Sequence, residues 1–344
     1  FLPQLETGAP RKPQYALPVV RYHGTLDNIS KWSAPSVTDR LQGHILKLDT
    51  ECVPNNLLWM QVNGCSQEPE ILLDGRINLL YYRGEKADYL YYVLEDGLHH
   101  HDLADADFIW RIFLSRYRRV DGQVVCENHN LGYLTDEDTV AVTDGSDQAY
   151  IRNKVVQLHC GRVRVFGNPD INYFVNGSEK VVPKVTYVPV RFFEEVWPGT
   201  QVLVEPDGRG AVITYGDREV KLAYGNRCLI ANNRVINCGA VEFDEEQNTL
   251  LAPLKEVARQ LYGYFTYERL DAAYLSKRKG CILTIDTAYI LQNILGTRRY
   301  LSSREIYRLC VDSHAANREE TASWKTLMKG WSHPIIGTAS LREE

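Results

Sequence analysis

The apolar residues of this chain fall into short runs that are separated by turn residues. Between His44 and Leu94 the runs are HILKL, NLLWMQV, EILLDGRINLLYY and ADYLYYVLED. Runs of about four to eight apolar and aromatic residues between turn signals predict antiparallel strands. Three more runs, TVAVTD, VVQLHC and RVRVFG, extend the pattern to about residue 166. The first part of the chain is therefore predicted to be mostly β.

One segment of this part has a helical pattern instead. Apolar residues recur at the spacing of one helical face and acidic residues precede them, which predicts a single amphipathic helix between Asp102 and Val120. The residues of this face are Phe108, Ile109, Ile112 and Phe113. Basic residues follow at positions 116, 118 and 119. We interpret them as complementing the carboxyl end of the helix rather than as a phosphate-binding site.

A sequence repeat organises the next part of the chain. The segment YVPVRFFEEVWPG at 187–199 can be laid over LAPLKEVARQLYG at 251–263 without a gap, so that Pro189 falls on Pro253. Proline suits the change from a strand to a helix, because the first turn of a helix needs no amide hydrogen there. Self-similarity of this kind predicts structural modules arranged in series.

Two further positions match between the copies. Arg191 and Lys255 follow the prolines by two residues, and Gly199 and Gly263 end the matched segments. Glycine suits the left-handed conformation just beyond a helix end. Each copy is thus predicted to contain a short helix. The runs TQVLVE, GAVITY, REVKLAY, CLIANN and RVINC predict hairpins that form a small antiparallel sheet beside it.

The repeat also predicts core positions and the division of the chain. Phe193 and Val257 are equivalent, and we expect the sheets to bury both side chains. The predicted fold class is α+β and β-rich, with small antiparallel sheets each packed on a short helix and preceded by a mostly β domain. The predicted parts are an extended arm at 1–20, the mostly β domain with one helix at 21–166, the tandem repeat domains at 167–280 and a helical C-terminal segment at 281–344.

The repeat resembles a known bacterial module. The string YVPVRFFEEV, the hairpin runs after it and LLAPLKEVARQLYG together resemble the copper amine oxidase N-terminal-like domain, over about residues 168–277. That family's pattern runs strand, Leu-Val-Pro-Leu-Arg, short helix, Gly, hairpin and an x-Val-Asn-Gly turn. Val175-Asn176-Gly177 and Ala231-Asn232-Asn233 occupy the turn here, and the second copy departs from the pattern at Ala252 and Lys255. The resemblance implies a helix wrapped by a five-stranded antiparallel sheet, in an accessory module of secreted and envelope proteins.

The resemblance does not imply amine oxidation, which belongs to a separate large domain. That chemistry needs an Asn-Tyr pair followed by an acid, whereas Asn172-Tyr173 is followed by Phe174. His99 and His101 precede that tyrosine, which reverses the family order. With Asp102 they have the residue types of a zinc or copper site, but we interpret them as a solvated loop. We therefore predict no catalytic residue, no metal site and no cofactor.

Composition narrows the classes of protein. The 344 residues are 44% apolar and 24% charged, which is typical of soluble globular chains with two or three domains. The net charge of −5 gives no overall attraction to nucleic acid. No run reaches the ~18 apolar residues that a bilayer crossing needs, so we expect no transmembrane segment.

The eight cysteines form no CxxC pair, which argues against zinc ribbons and thioredoxin-type motifs. The cysteines can form disulfides or stay as buried free thiols, and the sequence leaves both alternatives open. The resemblance to envelope proteins favours disulfides. The candidate pair is Cys228 and Cys238. A two-residue Asn232-Asn233 loop would set Cys228 opposite Asn237, whereas a three-residue loop would set it opposite Cys238. We predict the second register, with the first as the open alternative.

The C-terminal segment carries a second resemblance. Tyr300–Leu309 is similar to the opening of a spore cortex-lytic cell wall hydrolase, in which a catalytic glutamate follows downstream. This chain has Ala315-Ala316-Asn317 at that place, and Glu319 and Glu320 lie out of register. We interpret the segment as a packing helix. The predicted function is a non-catalytic extracellular or cell-envelope protein that binds a cell-wall polymer, a polysaccharide or another surface protein; the alternative is a diverged peptidoglycan hydrolase.

Overall fold

The computed structural model describes residues 15–26, 59–60, 62–66, 68–98, 103–128, 136, 138–167, 173–175, 179–181 and 184–297. Its internal contacts divide the chain into two compact units. Unit 1 comprises residues 1–137, 284–294 and 298–344, and unit 2 comprises residues 138–283 and 295–297. Unit 2 is therefore inserted into the sequence of unit 1.

Unit 1 contains a four-stranded sheet. Its strands are β1 (Val19–Gly24), β2 (Glu70–Asp74), β3 (Ile77–Tyr82) and β4 (Tyr89–Leu94), in the spatial order β1-β4-β3-β2. β1 runs parallel to β4, and the other pairs are antiparallel. Side chains alternate between the two faces of a sheet. One face packs on helix α1 (Leu103–Ile112) through a core that includes Leu79, Leu90 and Ile109.

Helix α1 is shorter than predicted. After a 3-10 turn at Leu114–Arg116, the chain forms a hairpin of β5 (Tyr117–Val120) and β6 (Gln123–Cys126). Asp121 and Gly122 make its two-residue turn with φ of 48° and 78°, the conformation that Asp-Gly favours. The extension of the helix to Val120 is therefore wrong. The run NLLWMQV, predicted as a strand, is helical at its described residues 59, 60 and 62, and HILKL lies outside the described residues.

The basic residues after α1 do not form a cluster at its end. Arg116 is buried, and its guanidinium lies 5.3 Å from the ring centres of Tyr81 and Phe113 and 5.7 Å from that of Tyr117. A guanidinium at this distance from aromatic rings gains cation–π attraction. This packing turns Arg116 inward, where its Nε also donates to the carbonyl of Phe113, the residue directly after α1, at 3.3 Å.

The described residues of unit 2 form two five-stranded sheets, one four-stranded sheet and one two-stranded sheet. Sheet A contains, in spatial order, β14 (Thr200–Val204), β15 (Gly210–Tyr215), β16 (Arg218–Ala223), β17 (Cys228–Ala231) and β18 (Arg234–Asn237). Sheet B contains β21 (Phe265–Arg269), β22 (Ala272–Ser276), β7 (Val140–Thr143), β8 (Gln148–Ile151) and β9 (Lys154–Gln157). The four-stranded sheet contains β10 (Arg164–Gly167), β13 (Lys184–Pro189), β20 (Thr249–Pro253) and β19 (Glu242–Asp244), and β11 (Tyr173–Val175) pairs with β12 (Glu179–Val181).

The two copies of the repeat pair with each other. Helices α2 (Phe192–Val196) and α3 (Leu254–Tyr262) follow β13 and β20, the equivalent strands of the two copies. These strands are antiparallel neighbours, with Val188 opposite Ala252. Because Val188 and Ala252 are also equivalent in the repeat, a local twofold axis passes between them. β10 on β13 and β19 on β20 extend the sheet in the same way on both sides.

The repeat extends further upstream than predicted. β7–β9 take the place in sheet B that β16–β18 take in sheet A. Gly145 and Gly225, in equivalent turns, have φ of 76° and 77°. Their amides donate to the carbonyls of Val163 at 2.8 Å and Val241 at 2.9 Å. The chain therefore divides at 137/138, because β7–β9 complete the second sheet, and not at the predicted 166/167.

The predicted fold class is confirmed, since unit 2 consists of small antiparallel sheets beside short helices. Buried side chains from both copies form one apolar core, which includes Phe193 and Val257. Of the predicted helical segment 281–344, helix α4 (Ile285–Ile294) is described and belongs to unit 1. Residues 298–344 and the first 14 residues of the predicted arm lie outside the described residues.

Candidate functional site

The signature residues of the repeat lie at the ends of strands and helices. Pro189 and Pro253 are the last residues of β13 and β20, so they precede the helices instead of lying in their first turns. Gly263 caps α3 in the left-handed conformation, with φ of 77°. Gly199 has φ of 89°, but α2 has already ended and this glycine lies in the turn before β14. These residues shape the modules and do not form a binding site.

The remaining repeat positions are also structural. Arg191 and Lys255 are exposed, and Arg191 forms an ion pair with Glu194 at 3.0 Å. Surface pairs of this kind contribute ~0–1 kcal/mol. Phe193 and Val257 are fully buried, as predicted. The repeat signature therefore specifies the core of the modules and the junctions between their strands and helices.

The predicted pairing of Cys228 with Cys238 is wrong. Asn232 and Asn233 form a two-residue turn with φ of 49° and 63°, which sets Cys228 opposite Asn237. The two sulfurs thus point to opposite faces of β17 and β18, and both thiols are free. Burial, with a contribution from the nearby Glu256 carboxylate, raises the pKa of Cys238 to about 12. Two consecutive left-handed asparagines favour this shorter loop.

This register completes a row of four aliphatic side chains and one lysine on the solvent side of sheet A. Its members are cross-strand neighbours, one on each strand, and we call their surface the open face: Leu203, Val212, Lys221, Ile230 and Val235. Leu203 is 72% exposed, Val235 68% and Ile230 44%. Single exposed apolar residues are ordinary, but a row across a whole sheet is not.

The middle of the open face carries one ion pair. Lys221 Nζ lies 2.9 Å from Glu219 Oε1, two residues away on the same side of β16. Both side chains are partly exposed. Gln201, Thr214 and Asn237 are outward-facing polar neighbours in the adjacent rows. The centre of the face is therefore electrically neutral, with aliphatic side chains on both flanks.

The equivalent row of sheet B is covered. It consists of Tyr267, Tyr274, Ala141, Tyr150 and Val155, again one residue on each strand. Tyr274, Ala141 and Tyr150 have no exposed surface. The hydroxyls of the two buried tyrosines are hydrogen-bonded, at 3.1 Å to Thr139 and at 2.8 Å to Asn153. The middle of this surface is thus buried in sheet B, where Tyr267 and Val155 at its flanks are half-buried, whereas the equivalent row of sheet A is open to solvent.

A second candidate is a buried polar cluster in unit 1. His23 Nδ1 on β1 lies 2.6 Å from Asp286 Oδ2 in the first turn of α4, and the hydroxyl of Tyr91 lies 3.4 Å from the same oxygen. An imidazole oriented by a carboxylate is part of a nucleophilic triad. His23 is only 5% exposed and Asp286 only 2%. This burial gives the pair a structural role, in which it holds α4 on the sheet.

The start of α4 is anchored by neighbouring groups. Asn78 on β3 accepts hydrogen bonds from the amide and the hydroxyl of Thr284, both at 2.9 Å. The hydroxyl of Thr284 in turn accepts from the amide of Thr287 at 3.3 Å, as an N-cap does. No local sequence pattern predicts this cluster, because 263 residues separate His23 from Asp286.

A shallow cleft of about 430 Å³ lies in unit 2 beside the turn between β7 and β8. Ser146 there donates to the carbonyl of Leu295 at 2.8 Å, and the hydroxyl of Thr297 donates to that of Thr143 at 2.9 Å. These hydrogen bonds attach residues 295–297 to the sheet. The polar groups of the cleft thus serve the fold.

The predicted chemistry near His99, His101 and Asp102, and near Glu319 and Glu320, falls outside the described residues. In the part of the chain that the structure describes, no three or more His, Cys, Asp or Glu side chains are grouped to hold a metal ion. None of the described helices has both the length and the apolar character needed to cross a membrane. No protein-family model, no curated protein and no solved structure matches the chain.

Proposed function

We propose that this chain is a non-catalytic binding or scaffolding protein of the bacterial cell surface, and that it binds through the open face of sheet A. The observation that carries the proposal is the exposed row of Leu203, Ile230 and Val235. Their counterparts in sheet B are less exposed: Tyr150 is buried, and Tyr267 and Val155 are half-buried. Contiguous exposed apolar surface on a folded chain is characteristic of contact sites. The open face therefore supports a binding function.

The chemistry of the face favours a protein partner over a polysaccharide or cell-wall polymer. Its flanks are aliphatic, and its central charges already pair with each other through Lys221 and Glu219. Sugar hydroxyls packed on such side chains would lose hydrogen bonds to water without replacing them, which is costly. The centres of protein–protein interfaces, in contrast, are apolar and poor in charge.

The extracytoplasmic location is part of the proposal and depends on the resemblance to copper amine oxidase N-terminal-like domains. That resemblance implies a short helix with a five-stranded antiparallel sheet, and unit 2 combines two short helices with two five-stranded antiparallel sheets. The described cysteines are free thiols, so disulfides do not contribute to the case for secretion.

Binding to cell envelope tests the proposal. The purified protein would be sedimented with envelope fragments that retain their surface proteins and with peptidoglycan stripped of protein. We expect binding to the first only, and expect Leu203→Ser with Val235→Ser to weaken it. Val156→Ser, on β9 and 41% exposed, is the matched control. Undiminished binding of the double variant would refute the role of the open face. Release of soluble muropeptides from the peptidoglycan would favour the hydrolase alternative, provided that Glu319→Gln or Glu320→Gln abolishes it.

A further inference from the structure

We infer that unit 2 carries a second contact site, a basic patch that binds a linear polymer of polyols joined by phosphodiesters. The basic patch consists of Lys255, Arg259, Phe265, Lys277 and Lys279. It is separate from the open face, which lies on sheet A, and the inference does not depend on that surface. The chain as a whole has a net charge of −5, so attraction of a polyanion requires a local concentration of positive charge.

The centre of the basic patch is an aromatic ring that two cations share. The guanidinium of Arg259 lies 5.8 Å from the ring centre of Phe265, and Nζ of Lys279 lies 5.6 Å from the same centre. Both cations are exposed, and Phe265 is half-buried. Cation–π attraction to one ring thus holds the two positive charges near each other at the surface.

Two exposed lysines extend the patch on either side. Lys255 precedes Arg259 by four residues on α3, so the two side chains lie on the same face of the helix, with Cβ atoms ~6 Å apart. Lys277 precedes Lys279 by two residues, and its Nζ lies 5.5 Å from the ring centre of Tyr264. The patch therefore presents four positive charges at neighbouring positions.

Most of these charges are not neutralised by the protein itself. Lys277 forms an ion pair with Asp138 at 3.2 Å. Among the residues that the structure describes, no carboxylate lies within ion-pair distance of Lys255, Arg259 or Lys279. Like charges that are grouped in this way repel one another, and a bound polyanion removes that repulsion.

The first copy of the repeat shows that the fold does not require these cations. A basic residue in the last turn of a helix can serve only to complement the helix dipole. The residue of the first copy that corresponds to Arg259, however, is Glu195 in the last turn of α2. Lys255 corresponds to Arg191, whose charge is paired with Glu194 at 3.0 Å. The unpaired positive charge is therefore a property of the second copy and not of the shared fold.

The chemistry of the patch favours a polyol phosphate over other polyanions. A phosphate backbone is bound through spaced positive charges and needs no apolar pocket. An acidic protein partner would need apolar anchors at the centre of the contact, and the patch offers none that is exposed. Phe265 is half-buried and already contacts two cations, so it is a poor platform for stacking a nucleic-acid base. A polyol phosphate supplies the charges and has no bases to stack.

Salt dependence and charge reversal test the inference. The probe is an end-labelled synthetic poly(glycerol phosphate), and fluorescence anisotropy measures its binding to the full chain. Contact with about three or four phosphates predicts a slope of about −2 to −3 for log affinity against log salt between about 50 and 200 mM. Arg259→Glu and Lys279→Glu should each weaken binding at least about tenfold and make the slope shallower by about 1. Lys154→Glu, an exposed position at the opposite edge of sheet B, is the matched control and should change neither.

Two further probes of matched charge separate the classes of polyanion. Tighter binding of single-stranded oligothymidylate than of poly(glycerol phosphate) would overturn the inference in favour of nucleic acid. Equal or tighter binding of poly-glutamate would overturn the assignment to phosphate, and so would poly(glycerol phosphate) binding that neither variant weakens. Circular dichroism melts identify any variant that fails to fold, and Arg259→Gln or Lys279→Gln then replaces it with the same expected direction.

The two contact sites can be tested independently. Leu203→Ser with Val235→Ser should bind poly(glycerol phosphate) as the unmodified chain does, because both residues belong to sheet A. High salt weakens the contact of the basic patch and leaves an apolar contact in place, so envelope binding at high salt reports on the open face alone. Loss of poly(glycerol phosphate) binding in the sheet A variant would contradict a separate site on the basic patch.

Discussion

Val188 lies directly opposite Ala252 in the pairing of β13 with β20, and the two residues hold the same place in the sequence repeat. Both are completely buried. The copies therefore share a sheet through their equivalent strands, and each five-stranded sheet takes strands from both. Unit 2 thus has internal twofold symmetry and one core shared by both copies.

This shared core predicts that damage to either copy destabilises both. Phe193→Ala should lower the free energy of unfolding of unit 2 by ~3–5 kcal/mol, because a fully buried ring leaves a cavity. Val257→Ala should have a smaller effect in the same single transition. Urea unfolding followed by fluorescence would measure this, with exposed Val156→Ala as control. Two separable transitions in either variant would contradict the shared core.

The position of the boundary predicts how fragments behave. A fragment that starts at residue 167 lacks β7–β9, so sheet B is reduced to the β21–β22 hairpin. Isolated two-stranded hairpins are marginal in water. We expect this fragment to unfold without cooperativity, whereas one spanning 138–297 should show a sharp thermal transition. Equal cooperativity of the two fragments would mean that sheet B does not need β7–β9.

Glu256 on α3 predicts a pH dependence of stability. Burial raises the pKa of its carboxyl above the ordinary value of 4.5. The folded state thus holds this proton more tightly than the unfolded state does. The associated stability is complete below about pH 4.5 and is lost as pH rises through the folded pKa.

Replacement with glutamine tests this dependence. Glu256→Gln should be more stable than the unmodified chain at pH 7 and close to it at pH 4, as measured by urea unfolding at both values. Glu245→Gln, at an exposed side chain, should change neither. A variant that is less stable at pH 7 would show that the ionised carboxylate is favoured in the fold.

The pair of His23 and Asp286 predicts strong energetic coupling in unit 1. Removing one member leaves the other polar group buried, which costs ~2–5 kcal/mol. His23→Ala and Asp286→Ala should each destabilise unit 1, and the double variant should cost less than the sum of the two. A double-mutant cycle in thermal unfolding measures the coupling. Additive effects would mean that the 2.6 Å contact contributes no stability of its own.

The hairpin of β17 and β18 predicts the state of two cysteines. Alkylation of the protein unfolded in denaturant without a reductant, followed by peptide mapping, should label Cys228 and Cys238 as free thiols. Asn233→Gly should stabilise the hairpin, because Asn-Gly is the preferred sequence of the two-residue turn seen there. A disulfide between Cys228 and Cys238 in the native protein would contradict the two-residue turn and favour the three-residue loop instead.

Local features were readable from the sequence because they depend on residues close together in the chain. The alternation of apolar and polar residues identified most strands of unit 2, and the repeat identified Phe193 and Val257 as core positions. Gly263 was recognised as a helix cap because only glycine adopts its left-handed conformation without strain. Such conformational preferences depend on residues within one or two turns of backbone and not on the fold of the rest of the chain.

Tertiary structure alone decided which elements meet. β7 pairs with β22, although more than half of the residues of unit 2 lie between them in the sequence. His23 contacts Asp286, although 263 residues separate the two. Which strands pair depends on the burial of whole sheet faces and on the entropy of loop closure. A local sequence pattern contains information on neither. The loop of Asn232 and Asn233 shows the same limit, since both registers satisfy the local sequence. The observed one turns Val235 outward, and with it sheet A acquires the open face that sheet B lacks.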